Sequence, residues 1–156
     1  RDGFAIKLAQ REGITVAILS GRVSAPLRAR LQDLGIDERR VIQGSRDKTA
    51  GIRVLAERLG IAPAEIGFVG DDLPDLPALA FVGLAACPAD AVPEVRARCH
   101  VVCAAAAGRG AVREVIELLL TARGRWSDIV DEWAAGKAVL SPIDGPRPKP
   151  RRNDGD

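Results

Sequence analysis

Three carboxylates fall within five residues in Val69-Gly70-Asp71-Asp72-Leu73-Pro74-Asp75, directly after the apolar run Ile66-Gly67-Phe68-Val69. The run reads as a buried parallel strand, and Gly70 lets the chain turn sharply at its end. Carboxylates at the carboxyl end of such a strand sit where open α/β sheets bind ligands. Held this close they repel one another, and a hard cation with oxygen ligands, Mg²⁺, relieves the repulsion. A solvated acidic turn capping the next helix is the plainer reading of the same residues.

Two further groups have the right chemistry for a phosphate. Ser20, Gly21 and Arg22 follow the apolar run Ile14-Thr15-Val16-Ala17-Ile18-Leu19. A hydroxyl, a glycine amide and a guanidinium can all donate hydrogen bonds to phosphate oxygens. Many strand-to-helix turns also contain Ser and Gly. Lys48 stands at the expected start of a helix, where the macrodipole prefers acids, so it should serve something anionic. A surface lysine is the commoner explanation for any single Lys.

The elements that must position these groups alternate along the chain. Helical periods are expected at 4–11, from Ser24 to Leu34 with Pro26 in the first turn, and from Asp47 to Leu59 with Gly60 as the stop. Shorter helices are expected at 76–81 and 93–97. Ala111 to Ala122 is strongly amphipathic, and 127–135 forms another helix. Strands are expected at about 14–19, 40–43, 66–69, 83–87 and 100–103. This alternation indicates an α/β fold, a parallel sheet with helices on both faces.

Composition bounds the function. A chain of 156 residues makes one domain with a real core. A net charge of +2 is too balanced to indicate nucleic acid or a membrane surface as partner. The apolar runs fall far short of the roughly 20 residues of a spanning helix. Cys87, Cys99 and Cys103 fit no zinc pattern and read as free thiols in a reducing cytoplasm. The chain contains no Met and opens Arg1-Asp2-Gly3, which is expected of a sequence whose natural start lies upstream. From Ser141 the chain turns Pro- and Arg-rich and is expected to be a disordered tail. The organisation is thus a core over 1–125, a C-terminal helix over 126–140 and a tail over 141–156.

Taken together, Ser20 after one strand, Lys48 at a helix start and Gly70-Asp71-Asp72-Leu73-Pro74-Asp75 after another resemble motifs two, three and four of the haloacid dehalogenase (HAD) phosphatases. The likeness extends to Arg1-Asp2-Gly3, Ser20-Gly21-Arg22, Gly35-Ile36, Gln43-Gly44, and Gly108-Arg109-Gly110-Ala111-Val112-Arg113-Glu114. Over roughly residues 1–125 these strings resemble the 3-deoxy-D-manno-octulosonate 8-phosphate (KDO 8-phosphate) phosphatases. The resemblance implies a HAD-like, Rossmannoid sheet and a Mg²⁺-dependent phosphomonoesterase acting on a phosphorylated sugar acid. It further implies a cytoplasmic homo-oligomer, a tetramer.

By the same resemblance Ser20, Lys48 and Asp71 are the catalytic residues. Asp71 is the direct metal ligand, with Asp72 and Asp75 positioned behind it. Arg1, Asp2, Gly3, Lys7, Gly21, Arg22 and Arg30, with Ser20 and Lys48, lie where the resemblance places contacts to substrate or to a neighbouring subunit. For each arginine alone a solvated helix face is an equally good reading.

The family's first motif, Asp-x-Asp-Gly on the first central strand, is absent. That motif holds the nucleophile and the general acid/base. The chain as it stands is therefore expected to be inactive, with a gap in the sheet between the strands at 14–19 and 66–69. The alternative reading is a non-catalytic HAD-like module, such as the C-terminal domain of an acylneuraminate cytidylyltransferase. A response-regulator-like receiver fits poorly, because its acidic pair comes early in the chain.

Overall fold

The computed structural model describes residues 1–140; the tail expected from Ser141 lies outside the described residues. Helix α1 (Asp2–Arg11) leads to strand β1 (Ile18–Ser20), then α2 (Ala25–Asp33) and β2 (Val41–Gln43). Helix α3 (Lys48–Leu59) precedes β3 (Gly67–Val69), the short α4 (Leu76–Leu79) and β4 (Leu84–Cys87). The chain continues through α5 (Pro93–Arg96), β5 (Val101–Val102), α6 (Ala111–Ala122) and α7 (Trp126–Ala134). Every strand pairing is parallel, as the helix–strand alternation requires.

The sheet is in two parts. β1 pairs with β2, and β4 lies between β3 and β5. Among the described residues no strand lies along the other edge of β1 or of β3. The two parts still share a core, because Leu19 of β1 and Phe68 of β3 both pack against Ile52, Ala78 and Val82 of the α3–α4 side. On the other side Ile18 and Val16 rest on the largest cluster, built from α1, α2, α6 and α7 around Leu8, Leu120 and Ile129. The gap expected between these strands is present.

Local chemistry sets the helix ends. Asp47 accepts the Ala50 N–H (2.9 Å) as N-cap of α3, and Gly60 closes that helix at φ 64°. Ser24 holds the N-cap position of α2 but makes no side-chain bond there. Its N–H instead donates to Gln43 Oε1 (3.0 Å), tying α2 to the end of β2.

Three expectations need correction. The first strand runs over 18–20 instead of the expected 14–19, because its single partner β2 offers three residues to pair with. β3 is not a buried strand: Gly67 is exposed and Phe68 and Val69 are half-buried, since one edge is open. The C-terminal helix spans Trp126–Ala134 rather than 126–140, and the chain leaves it through Gly136 at φ 66°.

Candidate functional site

The acidic turn is organised around one buried carboxylate. Asp75 is 1% exposed. Its Oδ2 accepts the Asp71 N–H (2.9 Å) and the Asp72 N–H (3.3 Å). Its Oδ1 accepts from Lys48 Nζ. A carboxylate this deep is tolerable only when paired and hydrogen-bonded. Gly70 makes the geometry possible, because a Cβ there would lie 2.7 Å from the Asp75 Cβ. The Gly70 N–H donates to Ala86 O (3.1 Å), which anchors the turn to β4.

Asp72 caps the 3-10 turn Leu73–Asp75, accepting the Leu73 N–H at 2.8 Å. Asp71 and Asp72 are both exposed, and Asp71 is the one whose carboxylate caps no turn. The protein around it still strips part of its water, and this desolvation, with the nearby charge of Asp75, pushes the Asp71 carboxyl above its ordinary value. Lys48 pulls in the opposite direction and does not cancel the effect.

Lys48 is the first residue of α3. The anion that justifies its place is Asp75. An ammonium has three donors, and its side chain keeps 22% exposure, so it still reaches outward. Loop residues 44–47 bring it beside the end of β1. The Ser45 N–H donates to Ser20 O (3.3 Å) and Ser45 Oγ donates to Asp47 O (2.7 Å). Ser20 Oγ is engaged within its own turn, donating to Arg22 O (2.9 Å) and accepting the Arg22 N–H (3.1 Å). Gly21 and Arg22 are exposed.

The remaining sequence-derived positions form a second group on α1 and α2. Arg30 pairs with Asp33 at 2.6 Å, and Lys7 approaches the same carboxylate at 3.6 Å. Gly3 faces this pair, with Leu34 Cδ2 3.4 Å from the place of a Cβ. Asp2 accepts the Arg113 N–H at 2.9 Å, so it caps the first turn of α6. Arg1 lies near Gly110. The structure therefore joins Ser20, Gly21, Lys48, Asp71, Asp72 and Asp75 at one edge, while Lys7 and Arg30 are engaged with Asp33.

One feature escapes the sequence altogether. Thr49 Oγ1 is buried without a partner beside Lys48, and no local pattern marks it.

The donor set fits Mg²⁺ only in part. Asp71 offers hard oxygens on a carboxyl whose ionised form is disfavoured, which a cation would relieve. The oxygens of Asp75 and Asp72 Oδ1 are occupied by N–H donors, and among the described residues no cluster of three or more metal-ligating side chains forms. Mg²⁺ commonly uses one or two carboxylates with waters and substrate phosphate, so Asp71 fits as one such ligand.

The family model of the haloacid dehalogenase-like hydrolases matches residues 4–83. 3-deoxy-D-manno-octulosonate 8-phosphate phosphatase KdsC of Escherichia coli K12 is 43% identical over 125 residues, 80% of this chain and 65% of that protein. The KDO 8-phosphate phosphatase of Moraxella catarrhalis, solved with magnesium ion, phosphate ion and KDO, is 34% identical and superposes with a TM-score of 0.81, covering 85% of this chain and 75% of that one. The chain belongs to the haloacid dehalogenase-like hydrolases, in the KDO 8-phosphate phosphatase family. A cobalt-bound phosphatase of this family from Haemophilus influenzae superposes with a TM-score of 0.78 at 36% identity, over 81% of this chain and 72% of that one. The HAD-like parallel sheet expected from the residues is thus the fold observed. The chain spans 65% of the length of the E. coli KdsC it matches.

Proposed function

We propose that residues 1–140 supply the phosphate- and metal-binding half of a Mg²⁺-dependent phosphomonoesterase whose substrate is a phosphorylated sugar acid such as KDO 8-phosphate. The observation that carries the reading is Asp75. One buried carboxylate fixes both the Lys48 ammonium and the Asp71 backbone at the carboxyl edge of the sheet, next to Ser20. Support for the substrate class comes from the M. catarrhalis relative, whose structure holds magnesium, phosphate and KDO.

In this reading Ser20 Oγ, the Gly21 amide and Lys48 bind and orient the phosphoryl oxygens, and Lys48 stabilises charge that develops on them. Asp71 would hold the cation, and a bound Mg²⁺ would neutralise phosphate charge. Asp75 keeps Lys48 and Asp71 in mutual register. Arg22, Arg1, Asp2, Gly3, Lys7 and Arg30 would contact the sugar acid or a neighbouring subunit. The nucleophile and the proton-transfer group belong to the Asp-x-Asp-Gly motif that follows an apolar strand, which these 156 residues lack, so the chain alone should be inactive. The same reading makes the protein a cytoplasmic homo-oligomer, a tetramer by resemblance.

The test is Mg²⁺-dependent phosphate release from KDO 8-phosphate and from 9-phosphorylated nonulosonates. A longer form carrying Asp-x-Asp should release phosphate, and the 156-residue chain should not. In the longer form Asp71→Asn should remove most activity, and Lys48→Ala should cost on the order of 10²–10³ in rate, the scale of losing one preorganised stabiliser of transition-state charge. A longer form that releases phosphate from none of these substrates overturns the substrate class. A fully active Asp71→Asn variant overturns the mechanism.

A further inference from the structure

A groove of about 430 Å³ between α6 and α7 is lined by Thr121, Gly124, Trp126, Ser127, Val130 and Asp131. Trp126 and Val130 form its apolar wall. Trp126 packs against the largest core cluster yet stays only half-buried, and Val130 is 47% exposed. Helix α7 carries Asp128, Asp131 and Glu132 and no basic residue. Asp128 pairs with Arg125 at 2.6 Å, and Glu132 pairs with Arg11 at 3.1 Å. Asp131 is exposed on the groove wall and makes no ion pair among the described residues.

The chain leaves α7 folded back on it. Gly136, at φ 66°, ends the helix in the left-handed conformation. The Lys137 and Ala138 N–H groups both donate to Glu132 O (3.0 and 3.2 Å), so the backbone bends over the last turn instead of running on from it. The sequence that follows carries Pro142, Pro146, Pro148 and Pro150, and within 146–152 it has Arg147, Lys149, Arg151 and Arg152 with no acid. From the end of α7 back to Trp126 is about 12 Å at 1.5 Å per residue. Residues 141–145 in a polyproline II conformation would span about 15 Å, enough to bring 146–152 to the groove.

We propose that the α6–α7 groove is the docking site of the Pro- and Arg-rich segment 146–152 of the same chain. The proposal stands independently of the phosphatase reading. Pro-rich segments dock in aromatic-lined grooves because they arrive already extended, with little conformational entropy left to lose. The cations answer Asp131 and the negative end of the α7 dipole, whose last turn holds no basic residue of its own. Docking also takes the Val130 side chain out of water. A second copy packed α7 against α7 would instead set the same acids against one another.

Acrylamide quenching of Trp126 fluorescence in the full 156-residue chain tests it. Trp133→Phe keeps an aromatic ring against Phe4 and leaves Trp126 as the one indole. In this background Arg147→Glu with Lys149→Glu should lower the ratio of docked to free chain by about tenfold, the scale of two exposed charge pairs. Quenching of Trp126 should rise accordingly. Asp131→Lys alone should raise it as well. Added to the two reversals, Asp131→Lys should lower it again, which a merely structural effect on α7 would not do. An unchanged circular dichroism spectrum confirms that each variant folds. Quenching that is the same in the reversed chain as in the background overturns the docking. A rise that Asp131→Lys fails to reverse overturns the groove as its place. Sedimentation at increasing protein concentration covers the other occupant. Protection of Trp126 that appears only as a dimer forms means that the segment of a second copy fills the groove, and overturns docking within one chain.

Discussion

Replacing Lys48 by Met tests whether the Lys48–Asp75 pair fastens the site. Met keeps an unbranched side chain, one heavy atom shorter, and removes its charge. Asp75, 1% exposed, would retain the Asp71 and Asp72 N–H donors but lose the one cationic partner it has among the described residues. Orphaning one member of a buried ion pair typically costs about 3–5 kcal/mol. Lys48 keeps 22% exposure, so water screens part of the attraction, and the low end, about 3 kcal/mol, is the appropriate expectation. With a urea m-value of about 2 kcal/mol/M, that moves the unfolding midpoint down by about 1.5 M. Urea unfolding followed by circular dichroism measures it directly. Asp75→Leu also loses the pair, and the double variant should cost clearly less than the sum of the singles, because the two residues share one interaction. A Lys48→Met chain within about 0.5 kcal/mol of wild type, the range of ordinary surface substitutions, would refute the argument.

Other outcomes follow from the same edge. The Asp71 carboxyl is raised above its unfolded value, so its favourable contribution to folding is present below the unfolded pKa of about 3.9 and is lost as pH rises through the folded value. Asp71→Asn, which cannot ionise, should therefore be more stable than wild type at pH 7, and the difference should shrink toward pH 4; equal urea midpoint differences at both pH values would contradict this. Thr49→Val removes a buried hydroxyl with no partner and should be neutral or stabilising by up to about 1 kcal/mol; a loss above that amount in thermal unfolding would mean the hydroxyl is bonded. Calorimetry of the 156-residue chain with Mg²⁺ should show little or no binding, because one carboxylate competes poorly with the ion's own water; tight binding would mean a different kind of site.

The elements most legible in the sequence were those fixed by local chemistry. Asp47 and Gly60 bracket α3 because a cap and a left-handed stop act within one turn. The amphipathic period of 111–122 delimits α6 to the residue, since one face meets α1 throughout. β1 was legible in place but not in length. The apolar run 14–19 records what can be buried, and the pairing depends on how many residues β2 presents. The candidate site divides in the same way. Asp71, Ser20 and Lys48 stand out by position after strands and at a helix start. That Asp75 is the anion served by Lys48 depends on a contact across 27 positions, which no spacing rule reveals. The unpaired hydroxyl of Thr49 is a fact of packing alone.

The division of the sheet bears on how the protein behaves in solution. The inner edges of β1 and β3 face no strand among the described residues, and an open edge is a template for pairing with any extended backbone. The β1–β2 and β3–β5 parts meet mainly through side chains of α3 and α4, without a continuous ladder. The chain should open first along this seam, where amide protons on β1 and β3 exchange ahead of those on β4. Whatever strand lies along the seam would set both the rigidity of the phosphate edge and the tendency of the protein to associate with itself.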